Sequence, residues 1–95
     1  MAAYVIAEVE ITDPALFEQY RAQVPATIEA YGGRFLVRGG ALETREGDWK
    51  PSRIVVLEFE SLARAREWYD SPEYRPLIAL RQRCAKTQLV FADGL

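Results

Sequence analysis

Residues 4–11 alternate strictly. Val5, Ala7, Val9 and Ile11 fall on one side, Tyr4, Ile6, Glu8 and Glu10 on the other, which is the two-residue period of a strand. Asp13-Pro14 then supplies a side-chain cap and a first-turn proline, a helix start. Leu16, Phe17, Tyr20, Val24, Ile28 and Tyr31 follow at three- and four-residue steps and form one apolar stripe. Pro25 stands inside this helix and removes the bond back to the Arg21 carbonyl, which predicts a kink. Gly32-Gly33 ends the helix in a left-handed turn.

A second strand is expected over Arg34–Arg38, closed by Gly39-Gly40. Simple alternation puts Arg34, Leu36 and Arg38 on one face and Phe35 and Val37 on the other. Residues 41–52 make a long connection with Glu46-Gly47-Asp48 as its turn, and a connection of that length is more often functional or ribbon-like than idle. Arg53–Glu60 alternates again, with Arg53, Val55, Leu57 and Phe59 against Ile54, Val56, Glu58 and Glu60. Ser61 caps a helix carrying Leu62, Ala65, Trp68 and Tyr69, and Asp70-Ser71-Pro72 interrupts it. A further helical segment around Pro76 carries Leu77, Ile78, Leu80 and Cys84, and residues 87–92 are a last strand with Leu89 and Phe91 on one side.

The order is βαββαβ in one domain over residues 1–95. That is the ferredoxin-like arrangement of α+β class, a four-stranded antiparallel sheet with its helices on one face. Two helices cover only one face of such a sheet. The fully apolar rows (Val5-Ala7-Val9-Ile11 and Val55-Leu57-Phe59) belong under them. The opposite row still holds Tyr4, Ile6, Leu36, Ile54 and Val56 among Arg34, Arg38, Glu8 and Glu58, too much apolar surface for a lone subunit. At about 25 cal/mol per Å2, covering it is worth several kcal/mol, and a second copy packed sheet to sheet is the simplest cover. The charges on that row must then pair, because an unpaired buried charge is costly. Arg34 and Arg38 either pair with Glu8 and Glu58 or leave one arginine free to hold an anion.

Composition removes several classes of chemistry. There is no histidine and a single cysteine, so this chain holds no Ser-His-Asp or Cys-His unit, no internal disulfide and no cysteine-built zinc site. No spacing of carboxylates gathers a metal-ligand set. The net charge of −2, with its signs interspersed, gives no basic patch for nucleic acid. Neither a signal-peptide pattern nor a membrane-length apolar run is present, which makes a cytoplasmic protein the expectation. Ten of the twelve cations are arginine, suited to planar, bidentate contacts.

Taken together, several blocks resemble a bacterial family, domain of unknown function 1330, within the dimeric α+β barrel superfamily. They are Tyr4-x-Ile6, Ile11-x-Asp13, Tyr20 with Val24, Tyr31-Gly32-Gly33-Arg34, Leu36-Val37-Arg38-Gly39-Gly40, Glu46-Gly47-x-Trp49-x-Pro51-x-Arg53, Leu57-Glu58-Phe59 and Trp68-Tyr69-x-Ser71-x-Glu73-Tyr74. The resemblance implies a ferredoxin-like protomer and a two-fold dimer whose sheets form a barrel. It implies no agreed reaction. Related families include cofactor-free monooxygenases, muconolactone isomerases, haem-degrading enzymes, dye-decolourising peroxidases and plain ligand-sensing modules. The haem branches use a histidine that this chain lacks, so no cofactor is expected.

The superfamily's usual ligand position lies between helices and sheet, where Tyr31, Trp68, Tyr69 and Tyr74 are expected either as core or as pocket lining beside Arg38 and Arg53. Glu58, flanked by Leu57 and Phe59, is the best available general base unless an adjacent arginine holds it ionised. Trp49 and Pro51 are expected as a dimer arm or a lid, and Cys84 as a small core residue. Three functions are consistent with these residues. One is a homodimer binding a small apolar or aromatic anion. The second is a cofactor-free isomerase or oxygenase using Glu58 as base and Arg38 or Arg53 as anion holder. The third is a dimer with no ligand, whose inner charges set register only.

Overall fold

The computed structural model describes residues 1–95. The chain forms β1 (Ala3–Ile11), α1 (Pro14–Ala30), β2 (Arg34–Arg38), β3 (Ile54–Phe59), α2 (Leu62–Tyr69), α3 (Arg75–Cys84) and β4 (Ala85–Asp93). All strand pairs are antiparallel, and the spatial order is β2-β3-β1-β4. This is the βαββαβ ferredoxin-like arrangement, with the second helical segment divided in two.

Local chemistry explains the boundaries. Asp13 accepts the Leu16 N–H at 3.1 Å and Ser61 accepts the Arg64 N–H at 3.1 Å, so both helices begin on side-chain caps. At the end of α1, Gly32 adopts φ +75°. Gly32 and Gly33 return their N–H groups to Glu29 and Ile28 at 3.0 and 2.9 Å, a closing pattern that needs the left-handed residue. Ser71 separates α2 from α3: its hydroxyl donates to the Trp68 carbonyl at 2.7 Å and accepts the Tyr74 N–H at 3.1 Å. Helix α1 runs through Pro25 as one element.

The helices cover the side of the sheet bearing Val5, Ala7, Val9, Leu57 and Phe59, as the apolar rows require. Trp68 is the centrepiece of this layer. Its ring stacks on Tyr74 at 4.1 Å between centroids and meets Phe59 at 5.4 Å, while its indole N–H donates to the Thr27 hydroxyl at 3.1 Å.

The Cα atoms span only 17 Å in the thinnest direction, one sheet and one helical layer. The far face of the sheet is therefore bare, with Ile6, Val37 and Val90 exposed on it and Arg34 paired to Glu58 at 2.7 Å.

Strand β2 departs from simple alternation. Phe35 pairs with Leu57, but Val37 pairs with Val56 and Arg38 with Val55, so Leu36 is the extra residue of a β-bulge. The bulge moves Val37 to the bare face and turns Arg38 to the helix side. Arg34 and Arg38 thus lie on opposite faces, correcting the shared face that strict alternation implies.

Candidate functional site

A cavity of about 50 Å3 lies between the sheet and the helices. On the scale where one water needs roughly 10–15 Å3, it has room for several waters or for one compact apolar group. Its walls are mostly apolar: Val5, Ala7, Leu57 and Leu89 from the sheet, Phe17, Val24 and Ile28 from α1. Four arginines (Arg21, Arg38, Arg53 and Arg81) also line it, and no carboxylate does.

Arg38 and Arg53 are placed by three local features. Pro25 has no N–H, so the Arg21 carbonyl lacks its helical donor four residues on. The Arg38 guanidinium donates to that carbonyl at 3.2 Å and lies over the Phe35 ring at 4.4 Å. Gly39, at φ +72°, is the third feature. A side chain there would run into the Arg53 guanidinium, so the glycine supplies both the left-handed backbone and the space.

Arg21 pairs with Glu18 at 3.5 Å, whereas neither Arg38 nor Arg53 has a carboxylate partner. The Nε of Arg53 is buried without any hydrogen-bond partner. Burial first, then the like charges of Arg21 and Arg38, pull the Arg53 pKa below its ordinary value. An anion in this place would relieve both effects.

On α3, Arg81 is 6% exposed. It donates to the Tyr74 hydroxyl at 2.9 Å, and the Tyr74 and Tyr20 hydroxyls are 2.7 Å apart. Desolvation pushes both tyrosine pKa values up, so these hydroxyls stay protonated.

The expected site residues separate into two groups. Arg38, Arg53, Trp68 and Tyr74 come together around the cavity. Tyr31 and Tyr69 do not join them. The Tyr31 hydroxyl donates to Glu73 at 3.0 Å on the outer surface, and Tyr69 packs edge-on against Phe91 at 5.8 Å. Glu58 stands between Tyr4 and Arg34 on the bare face and is bound to Arg34, so it does not reach the cavity as a base. Arg53 makes no ion pair with Glu46 or Asp48. Trp49 is exposed on the long connection, where the Thr44 hydroxyl donates to its carbonyl at 2.6 Å, and it does not line the cavity. Cys84 is fully buried beside Phe17 and Ala85.

Arg81, Tyr20 and Thr87 were not singled out from the sequence. Arg81 carried a signal all the same: it follows Leu77 by four residues and precedes Cys84 by three, a cation on the buried stripe of its helix.

Comparison with known proteins agrees with this architecture. The model of the family described as domain of unknown function (DUF1330) matches residues 2–95. No curated protein matches the sequence. A protein of unknown function from Rhodopseudomonas palustris superposes with a TM-score of 0.80 at 18% identity, over 99% of this chain and 82% of that one. A dimeric ferredoxin-like protein of unknown function from Thermobifida fusca gives 0.67 at 17%, over 99% and 92% of the two chains. SnoaB, a cofactor-independent oxygenase from Streptomyces nogalater, gives 0.65 at 15%, over 99% and 93%. At such identities the likeness is one of fold.

Proposed function

The chain belongs to the family described as domain of unknown function (DUF1330), and from that premise we propose that it is a small-molecule-binding protein whose ligand is a compact apolar or aromatic anion. One observation carries this reading: a mostly apolar cavity is lined by Arg38 and Arg53, and neither has a carboxylate partner. A ring or short hydrocarbon would occupy the space against Phe17, Val24 and Leu57, with its acidic group at the two guanidiniums. The alternative of a ligand-free interior held by Arg-Glu pairs is disfavoured, because the single such pair on the sheet, Arg34–Glu58, stands on the opposite face.

We also propose that the protein works as a homodimer through its bare sheet face. Exposed Ile6, Val37 and Val90 need covering there, and the Thermobifida fusca protein of the same fold is described as dimeric. The helix-side cavity stays available in such a dimer, since it lies across the sheet from the contact. The long connection bearing Trp49 is suited to reach the partner.

Catalysis by a carboxylate base has less support. No aspartate or glutamate lines the cavity, and burial keeps Tyr20 and Tyr74 protonated. The likeness to SnoaB leaves room for a reaction in which bound substrate and arginines suffice.

The test is calorimetric and thermal titration of wild type and Arg53→Met with benzoate and with neutral benzyl alcohol. Benzoate is expected to bind wild type and raise its Tm, benzyl alcohol to do so much less, and Arg53→Met to lose the benzoate response. A wild type indifferent to benzoate, or an Arg53→Met variant that responds equally, overturns the reading.

A further inference from the structure

The cavity wall around Arg81 is short of acceptors. Arg81 is 6% exposed and no carboxylate pairs with it. Its NH1 is used by Tyr74, while its Nε is buried with no partner. The Tyr20–Tyr74 contact uses one hydroxyl proton, because only one of the two groups can donate in it; the other proton has no acceptor among the protein's hydrogen bonds. The Thr87 hydroxyl is buried without a partner as well. All four residues line the same cavity as Arg38 and Arg53. Three protons (on Arg81 Nε, on one tyrosine and on Thr87) therefore lack acceptors among the protein's own groups in the wall of one mostly apolar cavity.

Such groups call for acceptors, which water in the cavity or a ligand supplies, since a buried cation and buried donors are stabilised only by partners. The arrangement suits a group that accepts hydrogen bonds and donates none, and an ionised carboxylate is that group. A partner subunit does not supply it, because the dimer proposed above approaches the other face of the sheet.

We propose that Arg81, with Thr87 and the Tyr20–Tyr74 pair, is a second anion-holding point, and that the natural ligand is a short apolar molecule acidic at both ends. This rests on the anion-binding reading of the cavity and adds to it. Arg38 and Arg53 hold one acidic group, Arg81 holds the other, and the apolar walls take the body between them. The substrate class narrows from aromatic monoacids to diacids.

The test compares benzoate with succinate and glutarate, short diacids of two spans whose bodies suit a cavity of about 50 Å3. Titrations use wild type, Arg81→Met and Thr87→Val. One of the two diacids is expected to bind wild type about tenfold or more tighter than benzoate, as a charged hydrogen-bonded group warrants. Arg81→Met should erase that advantage, so that diacid and benzoate bind this variant about equally. Thr87→Val, which keeps the side-chain shape, should shrink the diacid's advantage over benzoate by about threefold.

If benzoate binds and neither diacid binds better, the second point is wrong and the one-anion cavity stands. The second point is equally overturned if the diacid advantage survives in Arg81→Met. Should Arg81→Met fail to fold, Thr87→Val decides: an unchanged diacid advantage overturns the proposal. If benzoate itself does not bind wild type, both readings fall.

Discussion

The Arg38 guanidinium is anchored 3.2 Å from the backbone carbonyl of Arg21, an acceptor that Pro25 leaves without its helical donor. A residue unfavourable to its own helix thereby fixes a cation contributed by a strand. Local helix stability is given up where a cation of the cavity wall is positioned.

Replacing the proline should reverse that exchange. Pro25→Ala restores an N–H for Arg21 and removes a helix penalty of up to about 3 kcal/mol. We expect Tm to rise by about 5 °C or more, given a shift of roughly 4–8 °C per kcal/mol in a domain this small. Benzoate affinity should fall several-fold as Arg38 loses its hold on the carbonyl. Thermal melts and titration on the same sample check both signs.

Gly39→Ala should lose on both counts. Its φ of +72° costs an alanine about 1–2 kcal/mol, and the new methyl group displaces the Arg53 guanidinium. A lower urea midpoint together with a lost benzoate response is the expected pair. A variant that is merely less stable but binds normally would show that Arg53 does not depend on this glycine.

The two faces of the sheet should respond separately. Ile6→Asp puts a charge on the bare face, and self-association should weaken by at least about tenfold in sedimentation equilibrium. Benzoate binding should be retained. Glu58→Gln removes the partner of Arg34 on that same face and should likewise change association without changing ligand affinity.

Alkaline pH should destabilise the fold through the buried tyrosines. Burial raises the pKa of Tyr20 and Tyr74 above the ordinary 10.0, so the unfolded chain loses these protons first. The stability they confer is full below pH 10 and erodes as pH climbs above it toward the native values. The urea midpoint should therefore hold to about pH 9.5 and then drop. In Tyr20→Phe the drop should be shallower.

Much of the fold was legible because its elements are strongly periodic. The row Val5-Ala7-Val9 and the row Val55-Leu57-Phe59 announced which side of the sheet the helices cover, and Asp13-Pro14 and Ser61 announced where two helices begin. The face of Arg38 was not legible. Leu36 and Val37 are both apolar, so a one-residue bulge between them leaves no mark in the pattern. Of the site, Arg38 in β2 and Arg53 just before β3 could be proposed from their neighbours, and so could Trp68 and Tyr74 from their spacing. Tyr31 and Tyr69 share that spacing, but Tyr31 reaches the outer surface and Tyr69 packs into the core against Phe91, a matter of side-chain direction that periodicity does not encode. Arg81 was overlooked because a charge on an apolar stripe reads as an interruption of it, whereas burial makes it part of the cavity wall.

The Leu36 bulge has a consequence for how the molecule divides its labour. One surplus residue sorts two like side chains, four positions apart, to opposite surfaces: Arg34 to the bare face, Arg38 to the cavity. Deleting it would remove the bulge and still leave the two arginines on opposite faces, now three positions apart. Pairing all five residues without a bulge is what would take Arg38 from the cavity wall and set it beside the Arg34–Glu58 pair.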